Sequence, residues 1–461
     1  TEIAQYALSG SSPKIMKDTD EPILNPDGSI KTDRNGNVVF KKVLDVVATQ
    51  EVQRKADLFK NDFEEWIFKD ISRRMDLTKI YNDKFNCYVR KHYDGEYLKI
   101  NGINQAFELR KHQKDAVARA INEKVVLLDH EVGAGKTLTA ICSVMEQKKL
   151  GIINKPLIVV PNHLVEQWQK EFINAYPDAN LLVADEKSMD KFHRDEFLAK
   201  IANGNYDAII MKYTQLERIP VPVEIEERII EEQKEELKEA IRIREENGGS
   251  KLSVKRLEAA LEKLEAKLTE LYDNRQKTKM IDFSELGVDC MVVDESHSFK
   301  NLQFSTALDN VKGLGNPTGS KRAMDLFMKT TYLHDQPNGK VMFLTGTPVS
   351  NSLSELYLLQ KYLSPNELKE QGLFSFDSWV KTYGQLEKVF ETGAVPNDYK
   401  VVNRFTSFNN LQSLGGSYLD FADIVTNAEI KKFSGAFVPE AEIITSKSKK
   451  SDEGALYRRR D

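Results

Sequence analysis

Cysteine is scarce in this chain: three among 461 residues, Cys87, Cys142 and Cys290, far apart and odd in number. Neither a disulfide framework nor a Cys/His zinc site is on offer, and a reducing compartment, the cytoplasm, is the expected setting. No run approaches the roughly 18 apolar residues of a membrane span, and the start lacks the charged, apolar and small-residue regions of a signal peptide. Excess positive charge is missing too. The 66 Lys and Arg against 71 Asp and Glu leave a net −5, which argues against coating nucleic acid through bulk charge but not against a local phosphate-binding groove. With 24 Gly, 14 Pro, 40% apolar and 30% charged residues, the composition excludes collagenous and disordered classes. At about 100–200 residues per domain the length allows two to four domains. The chain opens on Thr1 rather than Met, so processing or cutting from something longer is expected.

What is present falls into zones. Asn25-Pro26-Asp27-Gly28 and Asn35-Gly36-Asn37 punctuate short apolar runs that suit a hairpin, and Ala56, Phe59, Phe63, Trp66, Ile67 and Ile71 recur at helical spacing with packing as their expected role. From Val125 onward short aliphatic runs alternate with helical patterns: Val125 to Leu128, Leu157 to Val160, Ala208 to Met211, Met291 to Val293 and Val341 to Leu344. Each is apolar on both faces, as buried strands of a parallel sheet are. The expected fold is therefore α/β, a doubly wound parallel sheet with helices on both faces and ligands at the carboxyl ends of its strands. Val223 to Lys279 interrupts this pattern with two charged segments, their stripes marked by Ile229, Leu237 and Ile241 and by Leu257, Leu261, Leu264, Leu268 and Leu271 around the turn Asn247-Gly248-Gly249-Ser250. We read an inserted helical hairpin, either a solvated face or a docking arm. The division follows as 1–105, an accessory region; 106–352, the α/β lobe with the hairpin at 223–279; and 353–461, a helical protrusion and linker without further strand–loop–helix units.

Three strand ends carry chemistry. After Val125–Leu128 comes Asp129-His130-Glu131-Val132-Gly133-Ala134-Gly135-Lys136-Thr137. Glycines let successive N–H groups turn onto phosphate oxygens, Lys136 supplies a point charge for the β- and γ-phosphates, and Thr137 offers a hydroxyl to magnesium. His130 stands where the full pattern wants glycine. After Met291–Val293 comes Asp294-Glu295-Ser296-His297. Paired carboxylates at a buried strand end ask for a cation, although alone they serve as well as a helix cap; beside a phosphate loop, Asp294 would hold magnesium and Glu295 would deprotonate the attacking water. After Val341–Leu344 comes Thr345-Gly346-Thr347-Pro348-Val349-Ser350-Asn351, whose hydroxyls suit the Asp-Glu loop on one side and phosphates on the other.

Together these segments resemble the Swi/Snf-type branch of the superfamily-two helicase-like DNA translocases, over about Phe107 to Pro365. Leu109-Arg110-Lys111-His112-Gln113 is similar to the family's adenine-recognition segment, and Asp129 to Thr137 to its motif I, with His130 in place of an acid. Val159 to Leu164 with Gln167-Trp168 and Glu171 resembles motif Ia, and Asp207 to Tyr213 motif Ib. Asp294 to Asn301 resembles motif II, and Thr345 to Asn351 through Tyr362-Leu363-Ser364-Pro365 motif III and its following helix. More narrowly, Leu44 to Ala48, Trp66 and Pro161-Asn162-His163-Leu164 look like the helicase part of methylase–helicase polypeptides of phages and mobile elements.

The resemblance implies a RecA-like P-loop lobe that binds ATP and magnesium. Gln113 would select adenine, Gly133, Ala134, Gly135, Lys136 and Thr137 would hold phosphates, Thr137 and Asp294 the metal, and Glu295 and Lys136 would be catalytic. It further implies sequence-independent DNA backbone contacts by Pro161, Asn162, His163, Tyr213 and Thr345. A working motor of this family has a second RecA-like lobe with arginine fingers. No Gln-x-x-Gly-Arg-x-x-Arg segment is found here, and Arg458 to Arg460 lack that context. The expectation is lobe one of a double-stranded DNA translocase, hydrolysing weakly without lobe two. A non-hydrolysing ATP- or DNA-binding scaffold and an RNA helicase lobe are the rival readings.

Overall fold

The computed structural model describes residues 15–23, 30, 38–85, 91–246, 251–274, 281–308, 311–312, 317–349, 352, 354–392, 399–426 and 428–429. The turns expected at 25–28, 35–37 and 247–250, together with Ser350, Asn351 and the basic residues 447–460, lie outside them. Strands β1 (Met16–Pro22) and β2 (Phe40–Leu44) pair antiparallel. Helices Val46–Lys69 and Ile71–Phe85 follow. Their expected packing role is corrected: Ala56 is buried, but Phe59, Phe63, Trp66 and Ile71 are exposed. Trp66 instead stacks on Phe63 and lies under the Arg73 guanidinium, 3.8 Å from the ring centre.

The α/β lobe is built on β3 (Val125–His130), β4 (Pro156–Val160), β5 (Leu181–Val183), β6 (Ala208–Lys212), β7 (Cys290–Val293), β9 (Lys340–Thr345) and β12 (Ala422–Val425). They form one seven-stranded sheet in the order β12-β3-β9-β7-β4-β6-β5, every neighbouring pair parallel. Alternate side chains serve two cores. Val126, Leu128, Ile158, Val160, Val292 and Leu344 pack under the helices that bring Ala116, Ile141, Trp168 and Phe172. Leu127, Val159, Met211, Met291, Val293 and Phe343 face the other layer, with Phe197, Ile229, Leu326, Tyr362 and Trp379. This is the doubly wound architecture that strands apolar on both faces require. Among the described residues no helix is long and apolar enough to cross a membrane.

The hairpin is present as helices Val223–Glu246 and Lys251–Asn274. Its first helix buries Ile225 and Ile229 in the core of the lobe, and Ile230 and Leu237 are buried too. Lys361 reaches Glu236 at 2.9 Å with both side chains nearly buried, while Arg228–Asp335 and Lys369–Glu232 tie its flanks at 2.6 Å each.

The stretch after residue 353 differs from its sequence reading. Helices Ser354–Leu363, Pro365–Glu370 and Phe376–Tyr383 lead into β10 (Gly384–Thr392) and β11 (Tyr399–Phe408), which join β8 (Val311–Lys312) in a small sheet. Helix Leu411–Phe421 then delivers β12 to the edge of the main sheet beside β3. Buried Arg119, on helix Lys111–Asn122, fastens this unit: its guanidinium donates to the carbonyls of Leu419, Asp420 and Ala422 at 2.6–2.8 Å. A charged donor on three carbonyls is hard to replace, so Arg119→Ala is expected to destabilise the docked strand by about 2–4 kcal/mol. Amide exchange over 422–425 should then accelerate while that of β4 and β7 does not. Equal acceleration throughout would show that Arg119 supports the whole lobe rather than this edge.

Candidate nucleotide site

The loop after β3 owes its shape to two glycines in the left-handed region, Gly133 at φ +87° and Gly135 at φ +80°. A Cβ on Gly135 would be strained by its positive φ and would also stand 2.6 Å from the Gln113 Nε2, displacing the amide that seats the loop. Gly135 leads into helix Lys136–Lys149, whose first N–H groups and dipole face the loop. The adenine-type segment seats this loop. Gln113 Nε2 donates to the Gly135 carbonyl at 3.3 Å while its Oε1 accepts from the Arg110 amide at 2.9 Å. His112, which burial holds below the ordinary imidazole value and so keeps neutral, contacts the Ala134 carbonyl through Nε2 at 3.0 Å. Lys136 Nζ donates to the His130 carbonyl at 2.8 Å, and Thr137 is half-buried beside it.

His130 has a structural explanation. It is fully buried, and Nε2 meets Asp423 Oδ2 on β12 at 2.7 Å. The same strand receives the Glu131 amide on the Val425 carbonyl at 3.0 Å, and Tyr418 donates to Asp129 at 2.9 Å. The histidine that departs from the motif therefore points into the edge of the sheet rather than toward the loop's concave side.

The Asp294-Glu295 turn follows β7. Asp294 is 6% exposed; burial pushes its carboxyl above the usual carboxylate range, against the opposing pull of the Trp168 indole, the Glu295 amide and the Lys136 charge. Oδ2 accepts from Trp168 Nε1 at 2.8 Å and Oδ1 from the Glu295 amide at 2.9 Å. Glu295 sits at φ +46°, an uncommon conformation for a residue with a side chain. Its Oε2 lies 3.0 Å from His297 Nδ1. Gly346, after β9, completes the convergence: a Cβ there would be 3.4 Å from Lys136 Nζ and 3.3 Å from the His130 carbonyl.

A buried carboxylate whose charge is opposed by burial, close enough to a lysine to feel it, suits a cation. Among the described residues no three His, Cys, Asp or Glu side chains gather to hold a metal unaided.

Two of the five residues expected at DNA turn their hydroxyls into the lobe. Tyr213 is 5% exposed, and its hydroxyl turns inward to the carbonyls of Asp294 and Glu295. Thr345 is fully buried; its Oγ1 accepts from the Thr347 amide at 3.1 Å and lies 3.5 Å from His297 Nδ1. Pro161 is half-buried, and Asn162 and His163 are exposed beyond β4. Trp168 and Tyr213 were singled out by their segments, but nothing in the sequence tells which acceptor each polar tip finds.

A glycine-shaped loop, an acidic turn and a Thr-Gly-Thr loop thus lie at the ends of three adjacent parallel strands. Residues 119–426 match the model of a family described as a probable helicase domain, and the chain belongs to that family. Residues 1–87 match a domain of unknown function, DUF8437. Chromodomain-helicase-DNA-binding protein 8 of Rattus norvegicus is 23% identical over 338 residues, 70% of this chain and 10% of that protein. Probable ATP-dependent DNA helicase CHR23 of Arabidopsis thaliana is 23% identical over 283 residues, 60% of this chain and 18% of that protein. The chain thus spans a small part of the length of these curated relatives. Among solved structures, the Sulfolobus solfataricus SWI2/SNF2 ATPase core in complex with dsDNA is similar at a TM-score of 0.38 and 17% identity, covering 73% of this chain and 49% of that one.

Proposed function

We propose that this chain is the ATP-binding first motor lobe of a double-stranded DNA translocase, which turns over fully only with a second RecA-like lobe. The observation that carries the reading is the meeting of Lys136, Asp294 and Gly346 from three strand ends around one glycine-shaped loop. In this reading Lys136 and the N–H groups from Gly133 to Thr137 bind the β- and γ-phosphates. Gln113 keeps one donor and one acceptor position beyond the two bonds it makes, enough to meet the paired edge of adenine. Thr137 and Asp294 would hold magnesium, which when bound offsets charge on the phosphate oxygens. Glu295 accepts the proton of the attacking water. Exposed Asn162 and His163 would touch the DNA backbone without reading bases. The narrower likeness to methylase–helicase polypeptides of phages and mobile elements rests on the sequence segments quoted above.

Titration with a fluorescent ATP analogue tests the site. Lys136→Ala removes a charge-assisted contact and is expected to weaken binding about 10–100-fold. Unchanged affinity would overturn the phosphate-loop assignment.

A further inference from the structure

Trp168 lies within helix Val165–Ala175, 1% exposed, in the core layer that also holds Val160, Phe172 and Val292. Periodicity alone makes it a packing residue. Its polar atom says more: an indole N–H is a donor only, and when buried it must find an acceptor. The acceptor is Asp294 Oδ2, at 2.8 Å, across two neighbouring strands of the sheet. The other carboxylate oxygen is held by the Glu295 amide at 2.9 Å. With one donor on each oxygen, the carboxylate plane is fixed, and the lone pairs left over have set directions.

We propose that Trp168 is a positioning residue for the metal-binding acid: its indole N–H orients Asp294 so that the free lone pairs face the cation. This rests on the reading of Asp294 given above. Hydrogen-bond partners of metal-ligating carboxylates act in this way, and their loss typically lowers metal affinity about 10–100-fold. The role differs from packing, because Phe in place of Trp keeps an aromatic ring in the core and deletes only the donor and part of the volume.

The test measures binding of a fluorescent ADP analogue as Mn²⁺ is raised from zero, for the native chain, Trp168→Phe and Phe172→Leu. Phe172 is fully buried in the same helix and touches no part of the acidic turn's hydrogen bonding, so it controls for packing. The expected result is a Mn²⁺ requirement about 10-fold or more higher for Trp168→Phe, unchanged for Phe172→Leu, with equal affinities for the analogue in excess chelator. A requirement that stays at the native value in Trp168→Phe, or that rises equally in both variants, would overturn the proposal. Should Trp168→Phe fail to fold, benzothienylalanine at position 168 keeps the ring shape without the N–H and is read in the same way. If the native chain binds the analogue with no metal dependence, the nucleotide–magnesium reading itself fails, an outcome distinct from a failure of Trp168 alone.

Discussion

Glu295→Gln is expected to leave ATP affinity within about twofold of the native chain and to lower hydrolysis by roughly 10²–10⁴-fold, the usual worth of a positioned general base. The substitution keeps the side chain's shape and its contact with the His297 ring while removing the charge and basicity that a proton acceptor needs. Its backbone setting also argues for a chemical role. At φ +46° the residue occupies a conformation that costs of order 1–3 kcal/mol elsewhere, and the Tyr213 hydroxyl on the carbonyls of Asp294 and Glu295 holds the turn there. A turn held in an uncommon conformation aims one side chain, and here that side chain is a partly exposed carboxylate beside His297 and the Asp294 carboxylate. Binding and single-turnover hydrolysis measured on the same preparation separate the two effects. Loss of affinity equal to that of Lys136→Ala would contradict the division of labour, and retained hydrolysis would remove Glu295 from the mechanism.

The phosphate loop and the five central strands were legible because their physics is local. Val125 to Leu128 or Leu157 to Val160 are aliphatic on both faces, and glycines or acids punctuate their ends. β5 escaped notice because it has only three residues, Leu181–Val183, too few to show a period. β12 escaped because Ala-Asp-Ile-Val carries a charge in a strand. That charge makes sense only once the fold brings His130 to 2.7 Å and Arg119 to 3.8 Å from the Asp423 carboxylate. His130 was unreadable for the same reason, since its partner lies 293 positions away. Tyr213 and Thr345 were legible in position but not in the partners of their hydroxyls. Polar residues at strand ends were expected to face a ligand, but a hydroxyl at a buried strand end is as easily satisfied by a neighbouring loop. Only the register of β6 against β4, and of β4 against β7, puts Tyr213 over the acidic turn.

The largest effect is expected from supplying a second RecA-like lobe with duplex DNA present: hydrolysis should rise about 10³–10⁵-fold, the range over which an arginine finger acts. The reason lies in the charge available at the site. In-line attack on the γ-phosphate spreads negative charge over the equatorial oxygens, and cations must answer it. Lys136 provides one from the loop. Lys300, further along the acidic turn, is held by Glu355 at 3.1 Å, so its charge is already matched. The described residues around the loop belong to one parallel sheet, and its edge beside β3 is taken by β12. A cation approaching the γ-phosphate from opposite the loop would therefore come from another lobe. The measurement is steady-state ATPase of the chain alone, with a second RecA-like lobe of a Swi/Snf-type translocase supplied in trans, and with that lobe carrying its arginines replaced by alanine. Stimulation that survives the alanine replacements would assign the second lobe a role in closing the site rather than in charge. DNA-stimulated turnover by the chain alone, at the level reached with the second lobe, would refute the need for one.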